Sequence, residues 1–273
     1  MSEHQFDIVC LQDWHPQTPA EIGRKFLETL DALSQVDRHF DAWQILDDEK
    51  ETSIPLERVR ADISQIVERG ASKGDDGEPE PQMGYRVRAV NRFVNSDTDP
   101  FSVEVGMHAG GNAGTTQSIS FSTEYGQIPA PSIVAFPVVK TVLLAFVNIW
   151  NSRNGSAYSR DLMDRWDDPR FKFELYWLTY LDVTLATQIT VPPDVCMERT
   201  ADGGILLIAT EETFNTANPD HMAAARRIRD AMAPLNDLAQ HERDKQASKE
   251  IDRMLEAIGA ERVTRRGRDP SSQ

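Results

Sequence analysis

Cysteine is scarce in this chain. Cys10 and Cys196 are its two thiols among 273 residues, they lie far apart, and neither belongs to a C-x-x-C pair. A disulfide framework and a four-cysteine zinc site are thereby excluded, and both residues, set in apolar stretches, read as small core residues of a reducing compartment. Basic charge is also short. Lys and Arg number 29 against 44 Asp and Glu, a net charge of -15. A field of that sign repels phosphate backbones and anionic lipid, so direct contact with nucleic acid or a membrane surface is disfavoured and a basic partner is favoured.

Long uncharged apolar runs are missing as well. The opening MSEHQFDIVCLQ has neither a cationic start nor a hydrophobic stretch of signal-peptide length, so a cytoplasmic protein is expected. The most apolar run, Ile133 to Trp150, carries Lys140 mid-span and Pro137 near its start. Burying that ammonium in lipid would cost roughly 3 kcal/mol on insertion scales, so the run reads as a helix of the protein core.

Recognisable catalytic patterns are absent too. None of the six histidines lies three or four residues from another histidine or a cysteine, and no HExxH or GxSxG occurs. The Gly-rich stretch HAGGNAGTT, residues 108–116, has no lysine after its glycines and leads into a strand-like run, so it reads as a hairpin tip and not as a phosphate cradle. With 44 carboxylates, pairs of them are expected anywhere. Asp164, Asp167 and Asp168 around Trp166 form either an acidic pocket or a solvated helix end. No catalytic residue, metal ligand or cofactor is assigned.

What is present is a mixture of helix and strand periodicities at ordinary globular composition, 40% hydrophobic and 27% charged. Residues 6–12 alternate as a strand. Thr18-Pro19-Ala20-Glu21 supplies a capping box with proline at the first helical position, and Ile22, Phe26, Leu30 and Leu33 continue as one apolar helix face to about residue 36. An acidic connection, DAWQILDDEKETS, is expected next. A second helix is expected from Pro55 to Arg69, ended by Gly70. Residues 72–82, SKGDDGEPEPQ, lack any large apolar residue and read as an exposed loop within one domain. Residues 85–94, 101–109 and 116–123 alternate in-out and predict an antiparallel meander. After the helix at 133–150, residues 174–190 predict one or two strands, and Ala201-Asp202-Gly203-Gly204 predicts a hairpin between VCMERT and ILLIAT. A helix is expected from Pro219 to about Leu238. The pattern is that of an α+β fold, an antiparallel sheet of meander and hairpins packed with several helices in a single domain spanning residues 1–240. Residues 241–273 carry eight basic and seven acidic side chains, leaving about -16 on the preceding body, and read as a charged helical or frayed tail.

One stretch carries more information. From Asp13 to Asp47 the chain reads DWHPQTPAEIGRKFLETLDALSQVDRHFDAWQILD, with Trp14 closing a strand and Thr18 and Glu21 starting a helix. Phe26, Leu30 and Leu33 follow along that helix, then Asp37-x-x-Phe40 and a further Trp43. In this order they resemble the N-terminal signature of the Imm52 family, immunity proteins of bacterial polymorphic-toxin and type VI secretion systems. His15-Pro16-Gln17 departs from the Gly and Arg that often follow the first tryptophan of that family. The signature positions Trp14, Glu21, Leu30, Asp37, Phe40 and Trp43 are those any strand–helix unit packed on a sheet would want, so their expected role is structural.

The resemblance implies a cytosolic antidote, not an enzyme, that binds and neutralises a cognate toxin, a nuclease of restriction-endonuclease-like fold being the expected class. The charge fits independently: a nuclease must present a basic surface to phosphates, and an acidic protein is its electrostatic complement. The densest acidic cluster, Asp47, Asp48, Glu49 and Glu51, is the candidate contact region, with Tyr85 and Trp166 as aromatic anchors and Asp164, Asp167 and Asp168 as further acidic contacts. Two other readings remain at this point: a hydrolytic enzyme with a dispersed site drawing on His108, Asp164 or Asp168, and an adaptor or chaperone that escorts an effector.

Overall fold

The structure, a computed structural model, describes residues 5–13, 15–47, 52–92, 102–112, 117–123, 130–163, 165 and 173–236. Alternation in strand β1 (Phe6–Gln12) sets its geometry: Phe6, Ile8 and Cys10 turn to one face and are buried there. Opposite them stand Phe121 and Ile119 of β6 (Gln117–Thr123) on one side and Ala157 and Gly155 of β7 (Asn154–Ser159) on the other. The meander is formed as expected, by β4 (Tyr85–Arg92), β5 (Ser102–Ala109) and β6. With β2 (Trp43–Asp47), β3 (Thr52–Pro55), β8 (Leu178–Leu181), β9 (Cys196–Arg199) and β10 (Ile205–Ile208) it makes a ten-stranded sheet among the described residues, ordered β3-β2-β4-β5-β6-β1-β7-β8-β10-β9. Every neighbouring pair is antiparallel.

Helices cover one face of this sheet. Helix α1 (Pro19–Ser34) begins with the expected capping box: the Glu21 amide donates to Thr18 Oγ1 at 3.3 Å, and the Thr18 amide donates to the Glu21 carboxylate at 2.8 Å. That hydrogen bonding from Thr18 holds the Glu21 carboxyl below the usual carboxylate range. Ile22, Phe26, Leu30 and Leu33 are all buried, one turn apart. The apolar run becomes α4 (Phe136–Trp150), packed on α1, β1 and β7 as a core helix. The indole N–H of Trp150 donates to Thr29 Oγ1 of α1 at 2.8 Å. Lys140 leaves the core sideways, its Nζ 2.5 and 2.7 Å from the two carboxylate oxygens of Glu198 on β9. Among the described residues, no helix is long and apolar enough to cross a membrane.

The far end of the sheet buries both of its faces. Leu206 and Ile208 of β10 join the main core, while Ile205 and Leu207, pointing the other way, join a second cluster with Leu181, Ile228 and Met232. Ile228 belongs to α7 (Pro219–Ala231), which is followed by a single 3-10 turn at Ala233–Asn236. The β9–β10 hairpin turns through Gly203 at a φ of 88°, a left-handed conformation that favours glycine.

Several expectations are revised. The acidic connection at 41–53 is instead the hairpin β2–β3, because Trp43 and Ile45 alternate onto the core face opposite Asn91 and Ala89 of β4. The helix expected from Pro55 to Arg69 is divided into α2 (Leu56–Val59), a 3-10 turn at Arg60–Asp62 and α3 (Ile63–Arg69). Residues 174–190 hold one strand, β8, within the expected one or two, but Asp182 then caps an unexpected short helix, α6 (Val183–Ala186), numbered after α5 (Arg160–Met163). Strand β7, NGSAYS, carried no periodic apolar signal. Its core-facing position 155 has no room for a side chain, since a Cβ at Gly155 would stand 2.6 Å from Cys10 Sγ and 2.9 Å from Leu143 Cδ1.

Gly70 does end α3, though not through a left-handed backbone. Its φ is -78°, and the reason for glycine is the close approach of β4: a Cβ there would stand 2.0 Å from the Arg86 carbonyl oxygen, while the Arg86 amide donates to Gly70 O at 2.7 Å. Gly70→Ala is therefore expected to destabilise the protein by about 1–3 kcal/mol, the usual penalty of overpacking. Urea unfolding checks it; a midpoint equal to that of the unsubstituted protein would contradict this packing.

Candidate partner-binding surface

The register of the sheet brings the end of β2 and the acidic turn at 73–80 to one of its ends. Strand β2 runs antiparallel to β4 with Ile45 opposite Ala89, so its last residue, Asp47, lies toward the end where β4 begins at Tyr85. Asp47 pairs with Thr52 to close the β2–β3 hairpin, and Asp48, Glu49 and Glu51, in the turn between, lie outside the described residues. Where the pairing of β2 with β4 stops, residues 70–72 take its place: Ala71 bridges Tyr85, and the Ser72 amide donates to Gly84 O at 2.8 Å.

From there residues 72–80 fold back on themselves. Lys73 bridges Pro79, the Gly74 amide donates to Glu78 O at 2.9 Å, and the Glu80 amide donates to Ser72 O at 2.6 Å. The Asp76 carboxylate accepts from the Glu78 amide at 3.0 Å, so part of its hydrogen bonding is spent shaping the turn. Asp75, Asp76 and Glu78 are exposed and Glu80 is half-buried. The end of β2 at Asp47 and the turn at 73–80, which carries four carboxylates and one lysine, thus lie at the same end of the sheet, and residues 47–51 have the same count of carboxylates and lysine in sequence. Beside them Met83 is 45% exposed, one of three exposed large hydrophobics among the described residues, and Tyr85 is half-buried. Read as a sequence, 72–82 was a solvated loop; its charge was visible in the composition, but its place next to the β2–β3 hairpin follows from the sheet pairing.

Of the other candidate contacts, Asp164, Trp166, Asp167 and Asp168 lie outside the described residues, just past α5. The signature positions fall into the scaffold. Trp14 lies outside the described residues, Glu21 forms the capping box, and Leu30 is buried in α1. Asp37 caps the 3-10 turn Arg38–Phe40, accepting from the His39 amide at 2.8 Å and meeting the His39 Nδ1 at 2.5 Å. Phe40 packs edge-on against Phe121 with ring centroids 5.4 Å apart, and Trp43 is buried on β2. The Asn91 amide donates to the carbonyls of both His39 and Asp41, which steadies the chain just before Ala42, a non-glycine residue at a φ of 60°.

Groupings that could do chemistry are sparse in the described part. No cluster of three or more His, Cys, Asp or Glu with metal-binding geometry occurs among the described residues. His108, the histidine an enzyme reading would use, donates from Nε2 to the Met83 carbonyl at 2.8 Å. A cleft of about 460 Å³ between residues 188–194 and α7 is bridged by Arg227 and Asp194 at 3.4 Å, and its lining includes Gln188, Thr190, Asp230 and Pro234 but no histidine, cysteine or serine.

The thiols differ from expectation in one respect. Cys10 is fully buried, and burial pushes its thiol well above the ordinary range, but Cys196 is exposed because β9 is an edge strand paired only with β10. A thiol-reactive chromogen is expected to titrate one cysteine in the native protein and two after unfolding. Rapid native reaction of both would contradict the placement of Cys10 in the core.

Comparison with known proteins decides the family. The profile described as Immunity protein 52 matches residues 14–240. The chain belongs to the Imm52 family. The match extends far beyond the stretch from Asp13 to Asp47 that carries the signature, through strands β2 to β10 and α7, and leaves out β1. Among solved structures, this Imm52 chain is similar to the Pseudomonas aeruginosa T6SS protein PA0821, at 11% sequence identity and a TM-score of 0.47, over 84% of this chain and 72% of that one. No curated protein matches it. The family assignment gives the chain the role of an immunity protein, the class of partner-binding antidotes to toxins.

Proposed function

We propose that this Imm52 protein captures one cognate toxin in the cytoplasm and neutralises it by tight binding, without chemistry of its own, and that the toxin is a basic, nuclease-like enzyme. Family membership over residues 14–240 is the observation that carries the reading. The net charge of -15 supports a basic partner, and the acidic end of the sheet supports a place for the encounter. There Asp47, Asp48, Glu49 and Glu51 would steer a cationic surface inward, helped by Asp75, Asp76, Glu78 and Glu80, with Tyr85 as an aromatic anchor. Asp164, Trp166, Asp167 and Asp168 form a second candidate contact. Two unpaired cysteines accord with a reducing compartment.

Charge of this kind acts mainly on encounter, raising association toward ~10⁸ M⁻¹s⁻¹ at low salt. Protection from a lethal enzyme also needs slow release. A sub-nanomolar complex corresponds to more than about 12 kcal/mol and ordinarily buries ~1,600 Å². The acidic turns would form the rim of such an interface around better-packed contacts.

The test is to express a toxin encoded beside this gene with and without the chain, reading survival and co-purification together. Rescue with a stable complex is the expected result. A complex without rescue would point to an effector adaptor, and the absence of any complex would overturn the immunity reading.

A further inference from the structure

We draw no further inference here: the strongest candidate, the face of the sheet opposite α1 and α4 on which Val9, Leu11, Ser118, Ser120 and Ser122 stand half-buried, carries nothing because no observation in the structure shows what covers it.

Discussion

Replacing Asp47, Asp48, Glu49 and Glu51 together by lysine is expected to slow toxin capture by about 100-fold at low ionic strength, within the 10–10³ range that electrostatic steering supplies. The four changes move the local charge by eight units in the segment that joins β2 to the edge strand β3. Fold stability should therefore be nearly unaffected, since substitutions at such positions usually fall within ±0.5 kcal/mol each. The signature that separates steering from contact is salt dependence. Association of the unsubstituted protein should fall steeply as salt rises toward physiological strength, where the Debye length is ≈ 8 Å, and the reversed variant should show a flat or inverted dependence. Dissociation should change far less than association. Stopped-flow association with the purified toxin, repeated across a salt series, reads all of this. An unchanged association rate would remove the acidic end from the interface, and a change confined to dissociation would recast these residues as direct contacts.

Trp150→Ala is expected to cost about 3–5 kcal/mol, a large share of the ~5–15 kcal/mol that holds a typical domain folded. Trp150 is fully buried at the last turn of α4, below which the chain turns through Asn151 in a left-handed conformation, and its indole is tied to Thr29 of α1. Truncation would open a cavity between the two helices that cover the sheet and would remove the cation–π contact with Lys25, 5.5 Å from the ring. Trp150→Phe keeps most of the volume. The hydroxyl of Thr29 still donates to the Lys25 carbonyl at 2.8 Å, so that variant should lose only on the order of 1–2 kcal/mol. Urea unfolding followed by circular dichroism measures both. A loss below 1 kcal/mol for the alanine variant would mean that α1 and α4 are not joined through this side chain.

The two predictions draw on different kinds of legibility. The apolar run around Trp150 was readable because a helix is a local object: periodicity, Pro137 at its start and a lysine in mid-span were all in view. The same holds for α1, whose capping box is four consecutive residues, and for the meander, whose three strands follow one another directly. Strand β7 was not readable, because Gly155 is small for the sake of Leu143 on the preceding helix and of Cys10, far away in the chain. Hairpin β2–β3 was hidden by its own charge: Trp43 and Ile45 hold it to the core, but acidic residues dominate the window around them. The exposure of Cys196 was misread for a related reason, since an apolar neighbourhood in sequence does not say whether a strand lies at the edge or the centre of a sheet.

Sequence alone determined the class of fold, the acidic field and the family, because composition and short-range periodicity are properties of the chain that folding does not alter. Tertiary structure decided the order of the strands, above all that β1 sits between β6 and β7, more than 100 residues away in the chain. It also brought the turn at 73–80 to the same end of the sheet as Asp47, the last residue of β2. Backbone hydrogen bonds are chemically alike at every residue, so which strands share them is settled by how large and small side chains fit together across the whole core, and that fit exists only once the chain has closed on itself.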